Sequence, residues 1–207
     1  MKNNLLFMMS AMMLASAMAP FVEAQSEHPW LDEQLAKQRY GIGWAKSPRH
    51  GPDTAQVVIV EFTDYECPYC AEQEPTMKKV LEAYPTEVLV VVKNLPLSSV
   101  HPNARHKALV AECMGLQGKF WQAHDRFFAG APEQKVTEGA DQGKLKACIA
   151  RGGEGLVDAD LAWAKRLGMA STPSFVIDGI RQGGMIPFGR FKLLIDAELA
   201  KKGTGTH

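Results

Sequence analysis

Two apolar runs separated by a helix-length interval constrain this chain most. Val57-Val58-Ile59-Val60-Glu61-Phe62 and Val88-Leu89-Val90-Val91-Val92 are rich in β-branched residues and almost unbroken by polar ones. That is the pattern of strands covered on both faces. The stretch from Pro68 to about Tyr84 between them reads as a helix. Strand, helix and strand in this order make a βαβ unit, with parallel strands and a right-handed crossover. The fold class is therefore α/β.

At the junction of the first strand and the helix stands Cys67-Pro68-Tyr69-Cys70. Two cysteines this close can open and close a disulfide within one helical turn, and the setting favours a redox pair over half of a zinc site. Exchange needs an accessible thiolate and a second thiol to resolve the mixed disulfide. Cys67 falls where free N–H groups and the positive helix end favour a thiolate. Pro68 at the first helical position forfeits no hydrogen bond. Cys70, one turn further in, is expected to be the more buried, resolving thiol.

Glu61 interrupts an otherwise apolar strand six residues before Cys67. Beneath the helix, a carboxyl there would accept the Cys70 proton, with burial raising its pKa into a useful range. The alternative is a strand-end Glu facing water. Thr172-Pro173 directly precedes the strand-like Ser174-Phe175-Val176-Ile177. A cis bond there would leave backbone free to pair with an extended peptide, and a trans turn is the alternative. Pro75 falls inside the helix and removes one backbone donor.

Beyond the second strand the pattern is helical from Pro102 to about Leu167, with further helices at Asp141–Ala150 and Gly155–Leu167. Asp178-Gly179 is a turn leading to a short strand near Ile180–Gln182, and a last helix spans about Phe188–Lys201. Residues 25–56 are a lead-in broken by Gly41, Gly43, Pro48, Gly51 and Pro52, expected to be partly ordered at best. The expected organisation is a core from 57–100 and 169–202, with 101–168 as an inserted helical domain.

Residues 1–24 read as a cleaved secretory signal, with an uncleaved N-terminal anchor as the alternative. Lys2 is followed by an apolar stretch from Leu5 to Ala19, and Val22-Glu23-Ala24 offers a small-residue cleavage site. Export changes the reading of the four cysteines, because disulfides persist outside the cytosol. An even count favours a structural disulfide between Cys113 and Cys148, with two buried free thiols as the alternative. The 23 basic and 23 acidic residues balance, which argues against nucleic acid or a polybasic membrane surface. His101 and His106 match no established metal-ligand spacing. His124, amid Phe120, Trp121 and Phe127, reads as a core or boundary residue.

The stretch Glu61-Phe62-Thr63-Asp64-Tyr65-Glu66-Cys67-Pro68-Tyr69-Cys70 resembles the thioredoxin superfamily in its exported DsbA-like branch. The likeness continues at Leu95-Pro96, His101-Pro102, Gly118-Lys119-Phe120-Trp121, His124-Asp125, Thr172-Pro173-Ser174-Phe175 and the Gly179 turn, over roughly residues 50 to 200. It implies a thioredoxin fold with a helical domain inserted before the cis-proline strand. By the same resemblance Cys67 attacks, Cys70 resolves, Glu61 is the buried acid, Pro75 kinks the helix and Pro173 is the cis-proline. Thr172, Pro68 and Tyr69 would meet bound peptide.

The resemblance further implies a periplasmic thiol:disulfide interchange protein acting on exported cysteine-containing proteins. It would need no metal and no cofactor beyond its own redox-active disulfide. A membrane oxidase or reductase would recharge it, and the short lead-in suggests a monomer. Tyr69 stands where the strongest oxidants of the family carry His, which implies a weaker oxidant. Cys-Pro-Tyr-Cys is shared with isomerase-type relatives and with proteins resembling the copper-sensitivity suppressor ScsC. The alternatives are therefore an isomerase or reductase kept reduced, or a copper-stress-related thiol or metal-binding protein.

Overall fold

In a computed structural model describing residues 28–203, β2 (Val57–Thr63) and β3 (Val88–Asn94) lie side by side and parallel, joined by α2 (Pro68–Ala83). The expected signal at 1–24 lies outside the described residues. β4 (Ser174–Ile177) pairs antiparallel with β2, and β5 (Ile180–Gly183) with β4. Among the described residues these strands and β1 (Arg49–His50) form a sheet in the order β1-β3-β2-β4-β5. The α/β class and the thioredoxin-like topology are those the sequence indicates.

Strand alternation decides which residues meet α2. Val57, Ile59 and Glu61 share one face of β2, since side chains repeat every second residue. On that face Val57 and Ile59 pack with Val90, Phe175 and Ile177 against Met77 and Val80 of α2. Phe191, Leu194 and Ile195 of α8 (Phe188–Gly203) complete this core. The opposite face carries Val60, Phe62, Leu89 and Val91, packed with Ala164, Leu167 and Met169.

Between β3 and β4 the chain is helical: α3 (Ala104–Gly115), α4 (Phe120–Phe128), α5 (Glu133–Val136), α6 (Gln142–Ala150) and α7 (Leu156–Arg166). Cys113 of α3 and Cys148 of α6 are bonded, with sulfurs 1.99 Å apart. Both lie in an apolar cluster with Val110, Met114, Phe127 and Leu145. Lys93, buried on β3, pairs with Asp160 of α7 at 2.9 Å. The Asn94 side chain donates to both Asp160 and Glu112, tying the sheet to the helices.

The lead-in is more ordered than its glycines and prolines suggest. After α1 (Pro29–Leu35), Tyr40, Ile42 and Trp44 pack on the far face of the sheet. Tyr40 N donates to Gly179 O, Val92 N donates to Pro48 O, and β1 adds an edge strand. Gly179 has φ of 90°, and a Cβ there would come within 3.3 Å of Arg39 and of the Tyr40 backbone. Long-range contacts rather than local periodicity order this segment, so periodicity could not reveal it.

Candidate active site

Cys67 is the N-cap of α2 and Pro68 its first residue. The backbone N–H groups of Cys70 and Ala71 both donate to Cys67 O, closing the first turn. Both cysteines are free thiols; Cys67 is 5% exposed and Cys70 is fully enclosed. Cys67 is thus less open than a freely accessible nucleophile, though more so than Cys70. Pro68 and Tyr69 between them are exposed, Tyr69 at 58%.

The Cys67 thiol lies 3.4 Å from Thr172 O, to which it donates. The Thr172-Pro173 bond is cis, and Pro173 O accepts from Gly184 N. Gln73, one turn beyond Cys70, donates to Ile186 O and accepts from Ile186 N. Residues 172–173 and 184–186 are thereby pinned to the helix bearing the cysteines. Sequence reasoning missed Gln73; its only signal was a polar residue on the inward side of a helix.

Asp64, 2% exposed, organises the other flank. Its carboxylate accepts from Glu66 N, Leu97 N and His101 Nδ1, each at 2.8 Å. His101 therefore anchors the 97–101 loop to the turn before Cys67. His106 lies apart, paired with Glu133. Among the described residues, no group of three or more His, Cys, Asp or Glu side chains is placed to hold a metal ion.

Glu61 is 1% exposed, between Val92 and Phe175 on the neighbouring strands. Burial pushes its pKa well above the usual carboxyl value, and the nearby Glu74 adds to the rise. A buried carboxyl is easier to protonate because low dielectric penalises its charge. Burial likewise pushes the Cys70 thiol far up, and Cys67 and Glu61 raise it further. The enclosed Cys70 thiol is thus held protonated, and the enclosed Glu61 carboxyl, close enough to act on it electrostatically, is able to take a proton. Glu74, Tyr65 and His124, also enclosed here, were not expected as a group.

The chain matches a family model described as thioredoxin over residues 45–197. It belongs to the thioredoxin family. Its DsbA-like character shows in the solved Pseudomonas aeruginosa DsbA2, 30% identical, which superposes with a TM-score of 0.66 over 78% of this chain and 98% of that one. A linker-deletion mutant of Proteus mirabilis ScsC is 26% identical, with a TM-score of 0.57 over 76% of each chain. A Na(+)/H(+) antiporter NhaA 3 of Salinispora tropica is 35% identical over 143 residues, which are 65% of this chain and 22% of the antiporter. The chain thus spans about a fifth of the length of that curated relative. Among the described residues no helix is long and apolar enough to cross a membrane.

Proposed function

We propose that this chain is a periplasmic thiol:disulfide oxidoreductase that exchanges disulfides with exported proteins through Cys67 and Cys70. The observation that carries the reading is the Cys67 thiol 3.4 Å from Thr172 O, on a helix packed over the enclosed Glu61. That arrangement brings a nucleophile, a peptide-pairing backbone edge and a proton acceptor to one end of the sheet. The secretory pattern of residues 1–24 and the Cys113–Cys148 bond support an oxidising compartment.

In the oxidising direction a substrate thiolate attacks Cys67 Sγ of the Cys67–Cys70 disulfide. Cys70 leaves as a thiolate and takes a proton by way of Glu61. A second substrate thiolate then attacks the substrate sulfur of the mixed disulfide, forming the substrate disulfide and releasing Cys67 as a thiolate. Pro68, Tyr69 and Thr172 present the surface a peptide meets. A membrane redox partner then removes two electrons and the Cys70 proton from this thiolate–thiol pair, restoring the Cys67–Cys70 disulfide.

Alkylation trapping of the two thiols in cells tests the direction. A largely oxidised pair is the expected result. A largely reduced pair would contradict the oxidising direction and favour an isomerase or reductase.

A further inference from the structure

Behind α2 lies a set of enclosed ionisable groups larger than thiol exchange by itself requires. Glu61 and Glu74 are 1% and 9% exposed. Glu61 Oε1 and Glu74 Oε1 are both buried without a hydrogen bond. The two residues line one cavity of about 120 Å³. Met77, Leu81, Val90 and Val92 make much of its wall apolar, and a cavity of that size has room for a few waters at roughly 30 Å³ each beside the carboxyls.

The third polar wall is His124 of α4, 2% exposed. Its Nε2 lies 3.3 Å from Glu74 Oε1, at ion-pair distance though not in hydrogen-bond geometry. Its Nδ1 lies 3.1 Å from Tyr65 Oη. Burial, with Glu112, Glu74, Glu61 and Asp160 adding to it, holds the Tyr65 phenol far above its ordinary value. Tyr65 therefore keeps its proton and is able to donate it to Nδ1; in that tautomer the imidazole N–H is on Nε2, facing Glu74. The rings of Tyr65, Phe120, Trp121 and Phe128 pack around the imidazole and fix its orientation. At the outer edge of the cavity stand Lys78 and Asp125, paired at 3.2 Å and more than half exposed, and the exposed His50.

Two carboxyl groups in one low-dielectric space do not ionise independently; the one with a facing donor or cation ionises first. We infer that Glu61, Glu74 and His124 form one proton store for the redox helix, in which His124 directs the negative charge to Glu74 and keeps Glu61 protonated. Cavity water links the store to solvent at the Lys78–Asp125 edge. The inference rests on Cys67 and Cys70 being the exchanging pair. When Cys70 leaves as a thiolate it takes the Glu61 proton, and Glu61 regains one from solvent past Glu74. In the reducing direction the proton runs the other way. His124 is a positioning residue in this scheme, contributed by the helical segment to chemistry on the sheet.

Infrared titration of the reduced full chain tests this. The protonated-carboxyl band of Glu61 is the one lost in Glu61→Gln. In Glu74→Gln and in His124→Gln its midpoint should fall by about one pH unit, because a like charge facing Glu61 is removed or neutralised. Oxidation of a dithiol peptide at pH 7 should slow about tenfold in both, since less Glu61 holds a proton. Midpoints equal to the wild type in both variants overturn the store. If His124→Gln does not fold, Glu74→Gln carries the test, as it is isosteric. Absence of exchange in the wild type would instead overturn the cysteine reading, and with it the task assigned to the store.

Discussion

The two cysteine pairs of this chain occupy opposite settings. Cys113 and Cys148 are 35 residues apart, bonded, and sit in an apolar cluster between two helices. Cys67 and Cys70 share one turn at the start of α2, unbonded, against a cis-proline loop. Closing a long loop restricts the unfolded chain strongly, whereas a bond within one turn restricts it little. The first bond therefore stabilises the fold, and the second can form and break without unfolding anything. The buried carboxyls divide the same way. Asp160 and Glu112 are engaged by Lys93 and Asn94, while Glu61 and Glu74 each leave an oxygen without a hydrogen bond. The carboxyls near the helical block are held by hydrogen bonds, and those under the redox helix are left available to protons.

Substitution separates the pairs most sharply. Cys67→Ser should lower disulfide exchange with a model peptide by at least about a thousandfold, as loss of a nucleophile does. The double variant Cys113→Ser, Cys148→Ser should retain most of that exchange. Equal losses in the two proteins would erase the distinction.

Stability should show the reverse ordering. Removing both Cys113 and Cys148 should cost about 3–4 kcal/mol in denaturant unfolding, on the chain-entropy account of a loop this long. Reducing the Cys67–Cys70 bond should change stability by far less. A larger effect from the short pair would mean that bond is structural.

The carboxyls offer a finer contrast. Glu61→Gln should slow exchange about a hundredfold near neutral pH, the range of a lost general acid or base, with little change in peptide affinity. Glu112→Gln should leave exchange unchanged and alter stability with pH instead. Burial, reinforced by Asp160 and partly offset by Asn94 and Lys93, pushes the Glu112 pKa up to about 7. The folded protein then binds this proton more tightly than the unfolded chain. The associated stability is complete below the ordinary carboxyl range and is lost as pH rises to about 7. Unfolding curves of wild type and Glu112→Gln should therefore diverge by about 3 kcal/mol between acid and pH 8, with the variant gaining as pH rises. Parallel curves would remove Glu112 from the titrating groups.

What the sequence disclosed, and what it hid, follows from range. The β2–α2–β3 unit was legible because apolar runs and a proline at a helix start are local signals. Cys67, Cys70 and Glu61 were legible for the same reason, since they fall within ten consecutive residues. The docking of Tyr40, Ile42 and Trp44 was not, because it depends on a sheet face built from residues far along the chain. Gln73, Asp64 and Glu74 were hidden likewise: each acquires its part only from groups remote in sequence, such as Ile186, His101 and His124. His124 was read as a core residue, and its burial agrees, but its approach to Glu74 across a helix pair had no sequence signal.

The most direct test is to map the mixed disulfide. Cys70→Ser protein, mixed with a disulfide-bearing peptide and digested without reduction, should yield a single peptide adduct by mass spectrometry, at Cys67. An adduct at Cys113 or Cys148, or none at all, would contradict the account.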